Sequence, residues 1–395
     1  MTDLARIFGI ARSDMSKVTP AAMRGSDVFH YSIPNVQEYG TGFLEDGSTI
    51  DSDKIQITSP CVLISKLNPR KSTLCLAKPD SALTVASSEF IPLATGNGND
   101  DRFLYWTLRS SSVTDYLNSL VTSATKSHQR VQPSNILGLS VLWPGPQMRQ
   151  AVADYLDRET DEIAAMIGKL DELAENLEIR RMSVMQRSTQ YADDGTRWSV
   201  VPTAHLFASI GSGTTPKDPR YYVESGVGVP WVTTSELREN LVTATLHDVT
   251  EEAVASVSSL RVHPRGAIVI AMYGATIGRL GVLGTNATMN QACCAFSSPR
   301  DVDPRFFYYN LWSQRDDIIR EAAGGGQPNI NQGLLRRWRV PHPPIDEQRR
   351  IADHLDQATS QIDAMLAKVA ELKELLIERR AALITDVVTG RKVVA

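Results

Sequence analysis

Leu156, Ile163, Leu170, Leu177 and Val184 stand seven residues apart, with charged and polar residues between them. Val152, Met166 and Leu173 form a neighbouring apolar stripe. Leu355, Ile362, Val369, Leu376 and Leu383 repeat the spacing, flanked by Ile351, Met365 and Leu372. A sustained seven-residue apolar repeat predicts a coiled-coil seam. Neither stretch contains a proline, and each follows a proline cluster, Pro144-Gly145-Pro146 or Pro341-His342-Pro343-Pro344, where a helix starts. Asp346 and Glu347 put acidic charge in the first turn of the second, which the helix dipole favours. Each predicted helix has about 40 residues and is therefore about 60 Å long. An ordinary pair of core helices is the plainer alternative, but such length needs a partner along the whole seam.

The two stretches are copies of one another. At an offset of 199, 15 of the 29 positions from Ala153/Ala352 to Arg181/Arg380 are identical. The segments that alternate with them, 1–146 and 191–342, show strand-like runs such as Cys61-Val62-Leu63-Ile64 and Ala267-Ile268-Val269-Ile270-Ala271. Each also carries an aromatic helical run, Phe103-Leu104-Tyr105-Trp106 or Phe306-Phe307-Tyr308-Tyr309, at an offset of 203. The fold class expected is mixed α/β: a globular domain at 1–146, a central repeat helix at 147–190, a second globular domain at 191–342 and a C-terminal repeat helix at 343–395. Two similar helices in one chain pack most simply as an antiparallel pair with a pseudo-two-fold axis. Such a rigid spacer suits a ligand with two sites a set distance apart, and duplex DNA repeats its faces about every 34–36 Å.

Composition narrows the class. The chain has 395 residues, 42% apolar and 22% charged, with a formal net charge of −4, which excludes wholesale disorder. No uninterrupted apolar run of about 18 residues predicts a membrane span, and the N-terminus lacks the pattern of a secretory signal. The four cysteines (Cys61, Cys75, Cys293, Cys294) form no CxxC, so neither a disulfide scaffold nor a structural zinc site is expected. A cytoplasmic protein with reduced thiols fits this usage. Segment 1–146 holds 13 basic and 13 acidic residues and segment 191–342 holds 14 of each, so any anion-binding surface must come from local clusters. The acidic excess lies on the helices.

Several short motifs carry a resemblance. Pro343-Pro344-Ile345-Asp346-Glu347-Gln348 leads into the second helix, and Leu383-Ile384-Thr385-Asp386-Val387-Val388-Thr389-Gly390 closes it. The second globular segment holds Gly211-Ser212-Gly213-Thr214-Thr215-Pro216, Pro230-Trp231-Val232, Tyr273-Gly274-Ala275-Thr276-Ile277-Gly278, Asn290-Gln291 and Gly326-Gln327-Pro328-Asn329-Ile330-Asn331. The first holds Leu63-Ile64-Ser65-Lys66-Leu67-Asn68-Pro69-Arg70, Ser88-Glu89-Phe90 and Ser127-His128-Gln129-Arg130. With these, the chain resembles the specificity subunit of type I restriction–modification systems over nearly its whole length. Pro146-Gln147-Met148 departs from the family's proline-then-acid-glutamine start.

The resemblance implies two target-recognition domains that read two halves of a bipartite asymmetric DNA target. It implies helices that set the spacing and dock two methyltransferase subunits, with restriction subunits also in the complex. It places no catalysis and no cofactor on this chain: S-adenosylmethionine belongs to the methyltransferase subunit, and ATP with Mg to the restriction subunit. In agreement, the sequence has no Asn-Pro-Pro-aromatic tetrapeptide and no GxxxxGK[ST] loop. A single-chain methyltransferase or nuclease, and a coiled-coil scaffold that binds only proteins, are the rival readings.

The candidate DNA-contacting residues follow from side-chain chemistry. Lys66, Asn68, Arg70 and Lys71 crowd into one turn, offering cations to phosphate and Asn or Arg to base edges. Ser127, His128, Gln129 and Arg130 put four hydrogen-bonding side chains in a row. In the second segment the candidates are Thr214, Thr215 and Lys217 in a Gly/Thr/Pro loop, Tyr273 and Thr276 in a tight turn, Gln327 after three glycines, and Arg337. The alternation Leu335, Arg337, Arg339 against Arg336, Trp338, Val340 predicts a strand with one exposed face. Each of these groups is also readable as a solvated turn or structural loop. Arg180 and Arg181, matched by Arg379 and Arg380, read as frame-holding or docking residues. Ser123-Ala124-Thr125-Lys126 and Glu371-Leu372-Lys373 resemble fragments of hydrolase and nuclease motifs but lack partners. Seven scattered histidines predict no catalytic metal.

Overall fold

The computed structural model describes residues 4–121, 129–322 and 329–394. The fold is mixed α/β, and the chain divides into two compact units, Met1–Asp171 with Ala370–Ala395, and Glu172–Val369. Four helices position the candidate interfaces: α1 (Gly98–Arg109), α2 (Pro146–Gln190), α3 (Pro304–Ser313) and α4 (Ile345–Val388).

In the first unit a five-stranded sheet runs in the order Lys17–Val18, Lys54–Gln56, Leu83–Ser87, Asp27–Tyr31, Phe43–Asp46. A three-stranded sheet runs Leu74–Ala77, Cys61–Ser65, Phe90–Leu93. The strand Cys61–Ser65 is buried throughout, which explains its continuous apolar run. Strand alternation sends Val62 and Ile64 against Leu104 and Leu108 of α1, and Cys61 and Leu63 against Tyr31, Ile55 and Phe90.

The second unit uses the same device. Its five-stranded sheet runs Phe207–Ser212, Cys293–Pro299, Ile268–Ala271, Leu280–Leu283, Asn240–Val242. Ile268 and Ile270 pack with Phe296 and with Phe307 and Leu311 of α3, while Val269 and Ala271 pack with Val232 and Met289.

Within each unit two segments of the long helices run antiparallel. In the first, Val152, Ala153 and Leu156 meet Ile384, Val387 and Val388, with Phe103 and Trp106 of α1 alongside, and Lys373 Nζ reaches Asp171. In the second, Met185 meets Ile351, Ala352 and Leu355, with Phe306 and Tyr309 of α3 alongside, and Arg181 pairs with Asp363. Leu156, Ile163, Leu177, Leu355, Ile362 and Val369 are buried, while Leu170 and Leu376 are half-buried. The neighbouring stripe behaves differently. Val152 and Ile351 are buried, but Met166, Leu173, Met365 and Leu372 are 48%, 47%, 52% and 50% exposed. A two-helix contact covers one narrow stripe, and the second stripe is covered only beside α1 or α3.

Two local expectations change. Residues 335–337 are not strand: Gln332–Arg337 is a helix, capped where Asn331 Oδ1 accepts from the Leu334 N–H at 2.9 Å, and strand begins only at Arg339. The cap and the buried pair Leu334–Leu335 override the apparent alternation. The atypical start of α2 is also resolved. Gln348 accepts from the Asp303 N–H at 2.9 Å and donates to the Pro343 carbonyl at 2.8 Å. Its counterpart at the offset of 199, Arg149, instead grips the Asp100 carboxylate through two 2.8 Å bonds and lies 4.7 Å from the Trp143 ring centroid.

Candidate nucleic-acid interface

In the first unit the sequence-distant candidates converge. The strand Cys61–Ser65 delivers the chain into a turn, Pro69–Lys71, flanked by two left-handed residues, Asn68 at φ 50° and Ser72 at φ 45°. Segment 129–131 zips onto this turn: the Asn68 N–H donates to the Gln129 carbonyl at 2.7 Å, and the Val131 N–H to the Lys66 carbonyl at 3.0 Å. The Lys66 N–H donates to the Glu89 carbonyl at 2.8 Å. Arg130 forks onto the Glu89 carboxylate at 2.8 and 3.2 Å. Three motifs, around residues 66, 89 and 130, thus form one surface.

Roles within it differ. Asn68 is buried, and its Oδ1 accepts from the Gln129 N–H at 3.3 Å, so its side chain holds the turn rather than reaching outward. Arg70 and Lys71 are exposed and Lys66 is half-buried. Ser127 and His128 lie outside the described residues.

The second unit assembles its loops by a different network. The Thr214 N–H donates to the Met289 carbonyl at 2.9 Å, Thr215 Oγ1 donates to Gln291 Oε1, and Trp231 Nε1 donates to the Thr214 carbonyl at 3.1 Å. The Met272 N–H donates to the Ala292 carbonyl at 2.7 Å, and the Met272 carbonyl accepts from the Ile330 N–H at 2.8 Å. These bonds gather the motifs at 211–216, 230–232, 273–278, 290–291 and 329–331. Gly213 is obligatory: a Cβ there would stand 1.8 Å from the Met289 oxygen. Gly274, at φ +84°, turns the chain after the buried strand and leaves Tyr273 and Thr276 half-buried. Thr215 and Lys217 are exposed. Arg337 stands apart from this network, at the end of its helix beside Glu321 and Trp338. Gln327 lies outside the described residues.

The surface chemistry is hydrogen bonding and charge. Burial pushes the thiols of Cys61, Cys75 and Cys294 up to about 12, and that of Cys293 up as well, so none is a nucleophile at neutral pH. Among the described residues no group of three or more His, Cys, Asp or Glu could hold a metal ion, and no helix is long and apolar enough to cross a membrane.

Sequence reading missed the residues that tie each unit to its helix. Arg102 reaches Asp157 and Asp154, and Trp106 Nε1 donates to Asp157 at 2.6 Å. Arg305 reaches Asp356 at 2.6 Å and Asp353 at 2.8 Å, and the Tyr309 hydroxyl donates to Asp356 at 2.7 Å. The signal was available: both arginines and all four aspartates are identical between the copies.

Comparison with known proteins agrees with this architecture. Residues 197–374 match the family described as the type I restriction modification DNA specificity domain. The specificity subunit of the type I restriction enzyme EcoR124I/EcoR124II of Escherichia coli is 25% identical over 274 residues, 66% of this chain and 66% of that protein. The MjaIX specificity subunit of Methanocaldococcus jannaschii is 25% identical over 174 residues, 42% of this chain and 38% of its own length. Among solved structures, a chain from a type I R-M system matches with a TM-score of 0.80 at 18% identity, covering 99% of this chain and 98% of that one. The HsdS subunit of Thermoanaerobacter tengcongensis matches with a TM-score of 0.55 at 16% identity, covering 99% and 97%. At these identities the structural likenesses speak for the fold.

Proposed function

We infer that this chain, a member of the type I restriction–modification specificity subunits, is the non-catalytic subunit that reads double-stranded DNA for such a complex. One observation carries the reading. Two α/β units with unrelated loops are fastened by the same arginine–aspartate–aromatic set to two copies of one helix. A constant frame bearing two different readers suits a target of two dissimilar halves.

On this reading, segment 1–146 reads one half-site through the surface around Lys66, Arg70, Lys71 and Gln129. Segment 191–342 reads the other through Thr214, Thr215, Lys217, Tyr273 and Thr276. Cations supply the contacts that fix register on the phosphates, and amides, hydroxyls and arginine supply the base-edge bonds that discriminate. The helices 147–190 and 343–395 hold the half-sites at a set separation and receive two methyltransferase subunits. S-adenosylmethionine works on those subunits, and ATP with Mg on restriction subunits, in the cytoplasm where the DNA lies.

Selection from a random duplex library by the full chain with its methyltransferase tests the proposal. The expected result is two short conserved blocks separated by an unconserved gap of fixed length. A single contiguous block, or methylation by the purified chain alone, would overturn it.

A further inference from the structure

We propose that a cleft in the first unit, between the helix Ile33–Tyr39, the turn Lys71–Leu74 and the end of α1, seats a backbone phosphate of bound duplex DNA, with Arg109 and Lys71 as its cations. The proposal rests on the DNA-reading function above and adds residues to it.

The cleft has a volume of about 470 Å³, and its polar lining comes from Gln37, Glu38, Lys71, Ser72, Thr73, Tyr105 and Arg109, two cations against one carboxylate. Its two cations sit on different elements. Lys71 ends the strained turn, with Nζ 3.5 Å from Gln37 Oε1. Arg109 ends α1, its Nη1 donating to the Tyr105 hydroxyl at 3.1 Å and its guanidinium lying 5.7 Å from that ring's centroid. Neither has a carboxylate within ion-pair reach among the described residues. Glu38, exposed, lines the cleft as well, and no ion pair ties it to either cation among the described residues.

Beside Glu38, neutral hydrogen-bonding groups line the rest. Gln37 Nε2 donates to Thr73 Oγ1 at 3.0 Å. Ser72 Oγ is buried and has no hydrogen-bond partner among the described residues. A guanidinium fork and a point-charge ammonium facing one cleft match the oxygens of a phosphodiester. The volume admits the flanking sugars as well, which favours a strand of backbone over an isolated ion. The cleft opens beside the turn that carries Arg70, so a phosphate held there would fix the register of that turn on the duplex.

The feature is private to the first unit. At the offset of 203, Tyr105 corresponds to Tyr308, but Arg109 corresponds to Trp312, whose ring lies 5.6 Å beneath the Arg181 guanidinium. Half-sites read by the two units would therefore differ in how they are anchored.

The test is a set of binding titrations of the full chain, alone and with the methyltransferase subunit, against target and non-target duplexes over a salt series. Arg109→Ala and Lys71→Ala should each lower the slope of log K against log[salt] by about one, equally for every sequence. Arg109→Lys should restore the slope, and an unchanged near-ultraviolet circular dichroism spectrum shows that each variant folds. If wild type binds with strong salt dependence and both alanine variants keep its slope, the cleft assignment falls alone. If wild type binds no duplex at all, the DNA-reading function falls with it. If inorganic phosphate raises the melting temperature of wild type but not of Arg109→Ala while the DNA slopes stay equal, the cleft holds free phosphate, and the assignment to DNA is overturned.

Discussion

Arg102 Nε donates to Asp157 Oδ2 at 2.9 Å, fastening the aromatic helix α1 to the long helix α2. Asp157 also accepts from Trp106 Nε1, so one carboxylate serves a cation and a buried indole. The same work falls to Asp356, between Arg305 and Tyr309, in the second unit. Behind each aspartate a threonine hydroxyl, Thr160 or Thr359, donates to the carbonyl four residues back, Leu156 or Leu355. The duplication has therefore preserved the joint between reader and frame while the readers diverged.

This joint predicts an order of effects. Arg102→Ala removes one charged partner from a half-exposed site and should cost about 1–2 kcal/mol. Asp157→Ala also strands the buried Trp106 N–H and should cost more, about 2–3 kcal/mol. Asp356→Ala should likewise exceed Arg305→Ala. Denaturant titration gives all four values, and an arginine variant costing more than its aspartate partner would contradict the shared-carboxylate account.

The seam makes a second prediction. Leu156 and Leu355 are fully buried, so Leu156→Ala and Leu355→Ala should each cost about 2–5 kcal/mol. Leu173 and Leu372 belong to the same repeat but are about half exposed, at 47% and 50%. Leu173→Ala and Leu372→Ala should stay within about 0.5 kcal/mol in the isolated chain. Equal losses at all four positions would mean that both stripes are covered.

The seam and the duplication were legible because period and offset are properties of the chain itself. The fully buried strands were legible as apolar runs. The candidate interfaces were legible only as sets of side chains. What joins Asn68 to Gln129, or Thr215 to Gln291, is a hydrogen bond across more than 60 residues of sequence, and no local pattern announces it. The buried, turn-holding role of Asn68 was hidden for the same reason. Arg109 belonged to no motif, and only its difference from Trp312 at the offset of 203 marks it in the sequence. The 335–340 alternation misled because Arg337 and Arg339 set a period-two pattern that the Asn331 cap and the Leu334–Leu335 pair overrule.

Asn68 combines a left-handed backbone with a buried amide bond, and these two contributions separate by substitution. Asn68→Ala loses both and should cost about 1–2 kcal/mol. Asn68→Gly keeps the backbone freedom and should recover part of the loss. Half-site affinity should follow stability across the pair. If both variants are as stable as wild type yet lose one half-site preference, Asn68 reads a base directly.

His30 predicts a pH dependence. Its Nδ1 lies 3.0 Å from Glu45 Oε2, while Nε2 is buried without a partner among the described residues. Burial holds its pKa below the ordinary 6.5, outweighing the attraction of Glu45, and nearby Lys54 lowers it further. As pH falls through about 6.5, the unfolded chain takes up a proton that folded His30 refuses, so stability is lost below that point. His263, also lowered by burial, acts with the same sign. The melting temperature should fall between about pH 7.5 and about pH 5.5, and His30→Gln should shrink the drop. A drop that His30→Gln leaves unchanged would assign the effect elsewhere.

Gly213 offers the sharpest separation between the two readers. Any side chain there meets the Met289 carbonyl, with Cβ placed 1.8 Å from the oxygen and 2.4 Å from its carbon. Those atoms are backbone and cannot rotate away, so the loop must lift and break the Thr214 N–H bond to Met289. Gly213→Ala should therefore cost about 1–3 kcal/mol, the range for overpacking, with the damage confined to the loop carrying Thr214, Thr215 and Lys217. Recognition of the half-site read by the second unit should weaken, while the half-site read by the first, which uses no residue near Met289, keeps its affinity and preference. Binding titrations with duplexes altered in one half-site at a time measure both. Equal loss at the two half-sites would show that the units do not read independently, and loss at neither would remove the 211–217 loop from the interface.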